Sequence, residues 1–163
     1  MGFIRCAIYF ALTGVIGFLA GRIIPKKWLR PRQGIFRCFP FEKDGKIYEK
    51  LGIRYWQNKL PDMSRILPFM MPAKKLGHNF YERLPEMICE TCIAELIHAL
   101  LCLSGLYCLK LWPGAGGIIV TIVYILFFNL PFILIQRYNR PRLIRLQQRY
   151  GAHQVKKELP CVH

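Results

Sequence analysis

Glu90, Glu95 and His98 lie inside a 26-residue apolar stretch, Met87 to Trp112. An ionisable side chain at membrane depth is expensive, so it is retained where it serves a site. Glu95 and His98 are three residues apart, on one helical face and within reach of each other. A carboxylate bonded to one imidazole nitrogen fixes the tautomer and leaves the other nitrogen as a base. Such a pair suits acid–base chemistry on a lipid-like substrate, with His98 as general base and Glu95 as its orienting partner. The same residues would also serve as polar links between helices.

The elements that must carry these residues are membrane spans. The 163-residue chain is 53% hydrophobic with a mean hydropathy of +0.23, yet its net charge is +15. Apolar blocks separated by basic blocks produce that combination, as in a small integral membrane protein. The spacing predicts an all-α membrane protein of one domain, residues 1–163, with spans over 3–24, 87–112 and 114–135. In the first span, Gly14, Gly17 and Gly21 give the small-residue spacing of close helix packing. The first span reads as an uncleaved anchor, since no small-residue cleavage box follows it. Pro113 and Gly114 leave only a tight turn between spans two and three.

Basic residues set the expected orientation. Residues 22–86 hold 15 Lys and Arg, and the tail 136–163 holds 7, against Lys110 at the hairpin and Arg5 at the N-terminus. The excess marks the cytoplasmic side, so the N-terminus is expected outside and the C-terminus in the cytoplasm of a multi-pass cell-membrane protein. The 25–86 segment is expected to be a basic, aromatic-rich cytoplasmic or interfacial loop. It holds Trp28, Phe36, Phe39, Phe41, Tyr48, Tyr55 and Trp56, a turn at Asp44-Gly45, and a short interfacial amphipathic stretch from Ser64 to Leu76.

A rise of about 1.5 Å per residue puts Glu95 roughly 12 Å and His98 roughly 16 Å below the cytoplasmic surface. Asn129, on the antiparallel third span, comes to roughly 10 Å, the level of Glu95. Glu90 is shallower, level with Gln136 and Arg137. The run Gln136-Arg137-Tyr138-Asn139-Arg140-Pro141-Arg142 reads either as a stop-transfer anchor or as a phosphate-capturing cluster, because Arg forks match phosphate oxygens.

Other chemistries find little support. P-loop, dinucleotide-fingerprint and G-x-S-x-G patterns are missing from the sequence, and no metal site is expected. The basic blocks flank the spans, which makes nucleic acid a poor partner. Cys89-x-x-Cys92 has redox or zinc spacing but no second pair, so a thiol-redox reading ranks last.

Taken in order, several segments resemble the glycosyl-4,4'-diaponeurosporenoate acyltransferase family of staphyloxanthin-type carotenoid biosynthesis. They are Phe36, Phe41-Glu42-Lys43-x-Gly45-Lys46, Trp56-x-x-Lys59-x-x-Asp62, Glu90-Thr91, Ala94-Glu95-Leu96-Ile97-His98 and the run from Gln136 to Leu143. The resemblance implies transfer of a fatty acyl group to a sugar hydroxyl on a glycosylated carotenoid. Two places depart from it: Cys92-Ile93 stands where the family has basic residues, and Ala99 where it has Trp.

These readings converge on a membrane-embedded O-acyltransferase with acyl-CoA as co-substrate, a lipophilic acceptor, membrane lipids around it and no cofactor. His98 is the expected base, Glu95 its partner and Asn129 the oxyanion donor. Glu90, Gln136, Arg137, Asn139, Arg140 and Arg142 are expected to bind substrate, the arginines through donor phosphates. Trp56 and Asp62 are expected to cover the headgroup or align the acceptor. The rival reading is a non-catalytic membrane subunit or anionic-lipid-binding adaptor, in which the same side chains only link helices and lipids.

Overall fold

The computed structural model describes residues 1–60 and 80–158, with 152–158 as backbone alone. Asp62 and the 64–76 amphipathic stretch lie outside the described residues. Helix α1 covers Gly2–Ile23, and its 22 residues span about 33 Å, enough for a bilayer's hydrocarbon. Two short helices follow in the loop, α2 at Lys46–Lys50 and α3 at Ile53–Trp56. Helix α4 runs Leu84–Gly105, continued after one turn by α5 at Cys108–Leu111. Gly114, at φ 105°, turns the chain into α6, Ala115–Val123. A π-helical stretch, Tyr124–Asn129, then leads into α7, Leu130–Glu158. Three helices are thus long and apolar enough to cross a membrane, and no strand occurs among the described residues.

Helices α4 and α7 pack along each other most extensively, and α1 lies against α4 and α6. Gly17 and Gly21 make that approach possible. A Cβ on Gly17 would lie 3.2 Å from Ile97, and one on Gly21 would lie 3.3 Å from Ile93, whereas Gly14 faces open space. The other face of α1 leaves Phe3, Ile8, Leu12, Ile16 and Leu19 exposed, an apolar surface suited to lipid tails.

The helix of the third span does not stop near residue 135. It continues to Glu158, carrying the Gln136–Arg142 run on a rigid helix below the apolar stretch. The loop after α1 folds back onto this extension, where Tyr48, Ile53 and Tyr138 form a buried cluster flanked by Trp56 and Leu134. The turn expected at Asp44-Gly45 is tight, with Lys43, Asp44 and Gly45 at φ 47°, 57° and 89°. At Gly45 a side chain would be strained by that φ and would press on the Tyr138 carbonyl at 3.3 Å.

Candidate functional site

Helix pitch brings the polar side chains together. Thr91 and Glu95 are four apart on α4, while Arg137 and Arg140 are three apart on α7, so each helix presents two groups one turn apart. Antiparallel packing sets Arg140 beside Thr91 and Arg137 beside Glu95. Arg137 donates from Nη1 to Glu95 Oε1 at 2.6 Å, and from Nε and Nη2 to the two Glu42 oxygens at 2.5 and 2.9 Å. Its remaining bonds go to the carbonyls of Ile35 and Arg37. Arg140 donates to the other Glu95 oxygen, to Thr91 Oγ1 at 2.9 Å, to the Thr91 carbonyl and to the Phe36 carbonyl at 2.8 Å. Two carboxylates and two guanidiniums therefore form one buried chain of alternating sign. Phe39 and Phe36 lie against Arg137 and Arg140, 4.9 and 5.3 Å from ring centroid to guanidinium.

Glu42 is 1% exposed, and it anchors the loop to this chain. Its carboxylate also accepts the Phe39 N–H at 2.6 Å and the Tyr48 hydroxyl. Burial pushes the Glu42 carboxyl up, but the bonds from Arg137, Tyr48 and Phe39 outweigh it and hold the group at about 2. Burial, and then the hydrogen bond to ionised Glu42, push the Tyr48 phenol up to about 12.

His98 sits one turn deeper and makes a different contact from the expected one. Glu95 is turned towards the two arginines. The His98 ring instead meets Asn129, Nδ1 to Oδ1 at 3.0 Å, and stacks on Phe132 with ring centroids 4.7 Å apart. The Asn129 amide orientation is set by its other end, where Nδ2 donates to the Tyr124 carbonyl at 3.1 Å. A carbonyl only accepts, so the atom facing it must be the NH2 group, and Oδ1 must face His98. His98 Nδ1 then carries the proton in the neutral ring, and Nε2 keeps the lone pair.

The expected level of Asn129 with Glu95 is therefore corrected by about one turn. A buried carboxylate is tolerable only beside a cation, and the register that gives Glu95 two guanidiniums places Asn129 opposite His98. The Asn129 amide, expected to serve an oxyanion, is 1% exposed and directs an N–H at a backbone carbonyl. The guanidiniums of Arg137 and Arg140, expected on donor phosphates, are engaged by protein oxygens.

The other expected binding residues divide. Gln136, Asn139 and Arg142 line an open groove of about 580 Å³ between α4 and α7, together with Thr91, Arg145 and Arg149. Arg142 also lies 4.7 Å over the Tyr138 ring. Trp56 packs on the Tyr48–Ile53–Tyr138 cluster and donates its indole N–H to the Leu51 carbonyl, away from this groove's lining. Glu90 is half-buried beside Thr91. Cys89 and Cys92 are free thiols, the first half-buried and the second buried.

Glu42, Tyr48 and Thr91 were missed by sequence reasoning, as were Arg145 and Arg149. One signal did point to Glu42: it is among only nine acidic residues facing 24 basic ones, in an aromatic stretch. Scarce carboxylates in such a chain are the natural partners of its buried cations.

Comparison with known proteins matches 25–149 to the sequence model of a family described as glycosyl-4,4'-diaponeurosporenoate acyltransferase. Proteins of that name from Staphylococcus aureus strains MRSA252, N315 and USA300 are each 33% identical over 143 residues, covering 86% of this chain and 85% of theirs. No solved structure matches the chain.

Proposed function

The chain belongs to the glycosyl-4,4'-diaponeurosporenoate acyltransferase family, and from that premise we propose that it moves a fatty acyl group from an acyl-CoA-like donor to a sugar hydroxyl of a glycosylated carotenoid or a similarly lipophilic acceptor. Family membership makes it an acyltransferase and removes the ground for the adaptor reading. The reaction takes place in the membrane, where both the acyl chain and the acceptor are soluble. The N-terminus lies outside the cell, with the 25–86 segment and the C-terminus in the cytoplasm, the side on which acyl-CoA is made.

The observation that carries this reading is the His98–Asn129 pair, which leaves Nε2 as the free base. Nε2 takes the proton of the acceptor hydroxyl as its oxygen bonds to the thioester carbonyl carbon. The tetrahedral intermediate then expels the thiolate, which leaves as the thiol with the proton from His98, and the ester is formed. Asn129 takes the orienting role first expected of Glu95, and direct transfer needs no covalent intermediate on Cys89 or Cys92. Glu95, Glu42, Arg137 and Arg140 hold the loop and the two helices in place around that base.

The test is His98→Ala in membranes supplied with acyl donor and glycosylated carotenoid, with the ester product followed by mass spectrometry. Turnover should fall about 10²–10⁴-fold while membrane abundance is kept. Turnover equal to that of the unaltered protein would overturn the assignment of the base.

A further inference from the structure

The groove between α4 and α7 has no role in the proton transfer described above, and its chemistry is distinct. Arg142, Arg145 and Arg149 follow one another at intervals of three and four residues, so they share a face of α7. Gln136 and Asn139 continue the same face towards the apolar stretch, and Met87 and Leu146 supply an apolar lining. Arg142 and Arg149 are exposed. Arg145 reaches the Asp44 carbonyl at 3.2 Å and the Asp44 carboxylate at 3.8 Å, the latter itself 72% exposed. Arg137 and Arg140, by contrast, are matched by Glu42 and Glu95. Among the arginines of α7, the three that no buried carboxylate matches thus line this groove.

We infer that the groove lined by Arg142, Arg145 and Arg149 binds the phosphate-bearing headgroup of the acyl donor. Guanidinium forks match phosphate oxygens in pairs, and Gln136 and Asn139 supply amides for neighbouring polar groups. The groove's volume lies within the range of small-molecule sites. A headgroup held there projects its acyl chain along α7 towards the apolar stretch that carries His98. The assignment rests on the acyl-transfer reading for the donor's identity, while the phosphate chemistry stands on the groove alone. That chemistry is common to a soluble thioester carrier and to a phospholipid, and the experiment separates the two.

The full chain in detergent is titrated with coenzyme A. In parallel, it is placed in phosphatidylcholine nanodiscs with and without phosphatidylglycerol, and the retained lipid is counted by native mass spectrometry. One probe should bind the unaltered protein, and Arg142→Gln with Arg149→Gln should weaken that binding about tenfold or more. Both side chains are exposed, so folding should be unaffected; if it is affected, Arg142→Lys with Arg149→Lys keeps the charge and still loses the fork. His98→Ala should bind as the unaltered protein does. Coenzyme A binding lost in the Gln variant identifies a soluble donor, and phosphatidylglycerol retention lost there identifies a lipid. Binding of neither probe, or equal binding by the variants, overturns the inference. A His98→Ala enzyme with full turnover would instead remove the proposed base and leave the binding result standing.

Discussion

Glu95 and Arg137 face each other across the packing of α4 on α7, Nη1 to Oε1 at 2.6 Å, although 42 positions separate them in the chain. With Arg140 on its other oxygen, Glu95 holds two guanidiniums in a nearly dry setting. Removing one member of such a set leaves the others as uncompensated buried charge.

Glu95→Gln should therefore lower stability by about 3–5 kcal/mol. Thermal unfolding in detergent and the amount of folded protein in membranes are the measurements. A variant with unchanged melting and lost turnover would return Glu95 to the chemistry itself.

Asn129→Leu should act through the base rather than the fold alone. Without the Oδ1 acceptor, His98 loses its preferred tautomer, so turnover should fall about tenfold or more while donor affinity holds. Steady-state kinetics separate the two, and Asn129→Gln, which keeps both an acceptor and an amide donor, should recover part of kcat. Failure of both variants to move kcat would leave Asn129 as a helix link.

The Glu42–Tyr48 pair sets limits on pH from both sides. The Glu42 carboxyl is depressed from 4.5 to about 2, so its contribution is complete above about pH 4.5 and is lost as pH falls towards 2. The Tyr48 phenol is raised from 10 to about 12, so its contribution is complete below about pH 10 and is lost as pH rises towards 12. Melting followed from acid to alkali should decline at both ends. Glu42→Gln should flatten the acid limb and Tyr48→Phe the alkaline one.

Among the glycines of α1, position decides the outcome. Gly17→Leu must push Ile97 away and should cost about 1–3 kcal/mol, whereas Gly14→Leu meets open space and should be neutral. Equal melting of the two would mean that α1 does not rest on α4 through this face.

Orientation is checked by labelling single cysteines at Asp44 and at exposed Ala115 in a background from which the seven native cysteines have been removed. An impermeant reagent on intact cells should modify Ala115→Cys and spare Asp44→Cys. The reverse pattern would invert the proposed topology.

The three long helices could be read from composition because a bilayer demands about 20 apolar residues in a row, which a local window detects. The close approach of α1 through Gly17 was equally local, since residue size and spacing carry it. The partner of Glu95 was not. Within α4, His98 is the nearest polar neighbour, and the stronger claim of Arg137 and Arg140 depends on the register between two helices. That register follows from α7 continuing past residue 135 and from the π-helical stretch at Tyr124–Asn129, neither of which leaves a local signature. Glu42 stands out in the sequence only within the family-like Phe41–Lys46 segment, with no role attached, because the sequence does not reveal that the loop folds back over α7.

The alternating chain of Glu42, Arg137, Glu95 and Arg140 also constrains how the protein is made. Synthesis delivers Glu42 and Glu95 before either arginine exists. The second span must thus enter the bilayer carrying a carboxylate whose counter-ions have not yet left the ribosome. Until α7 arrives, Glu95 has to stay close to water, since an unpaired carboxylate is not tolerated in hydrocarbon. A nascent chain halted before Arg137 would therefore hold a second span whose carboxylate lacks both of the guanidiniums that neutralise it in the finished fold.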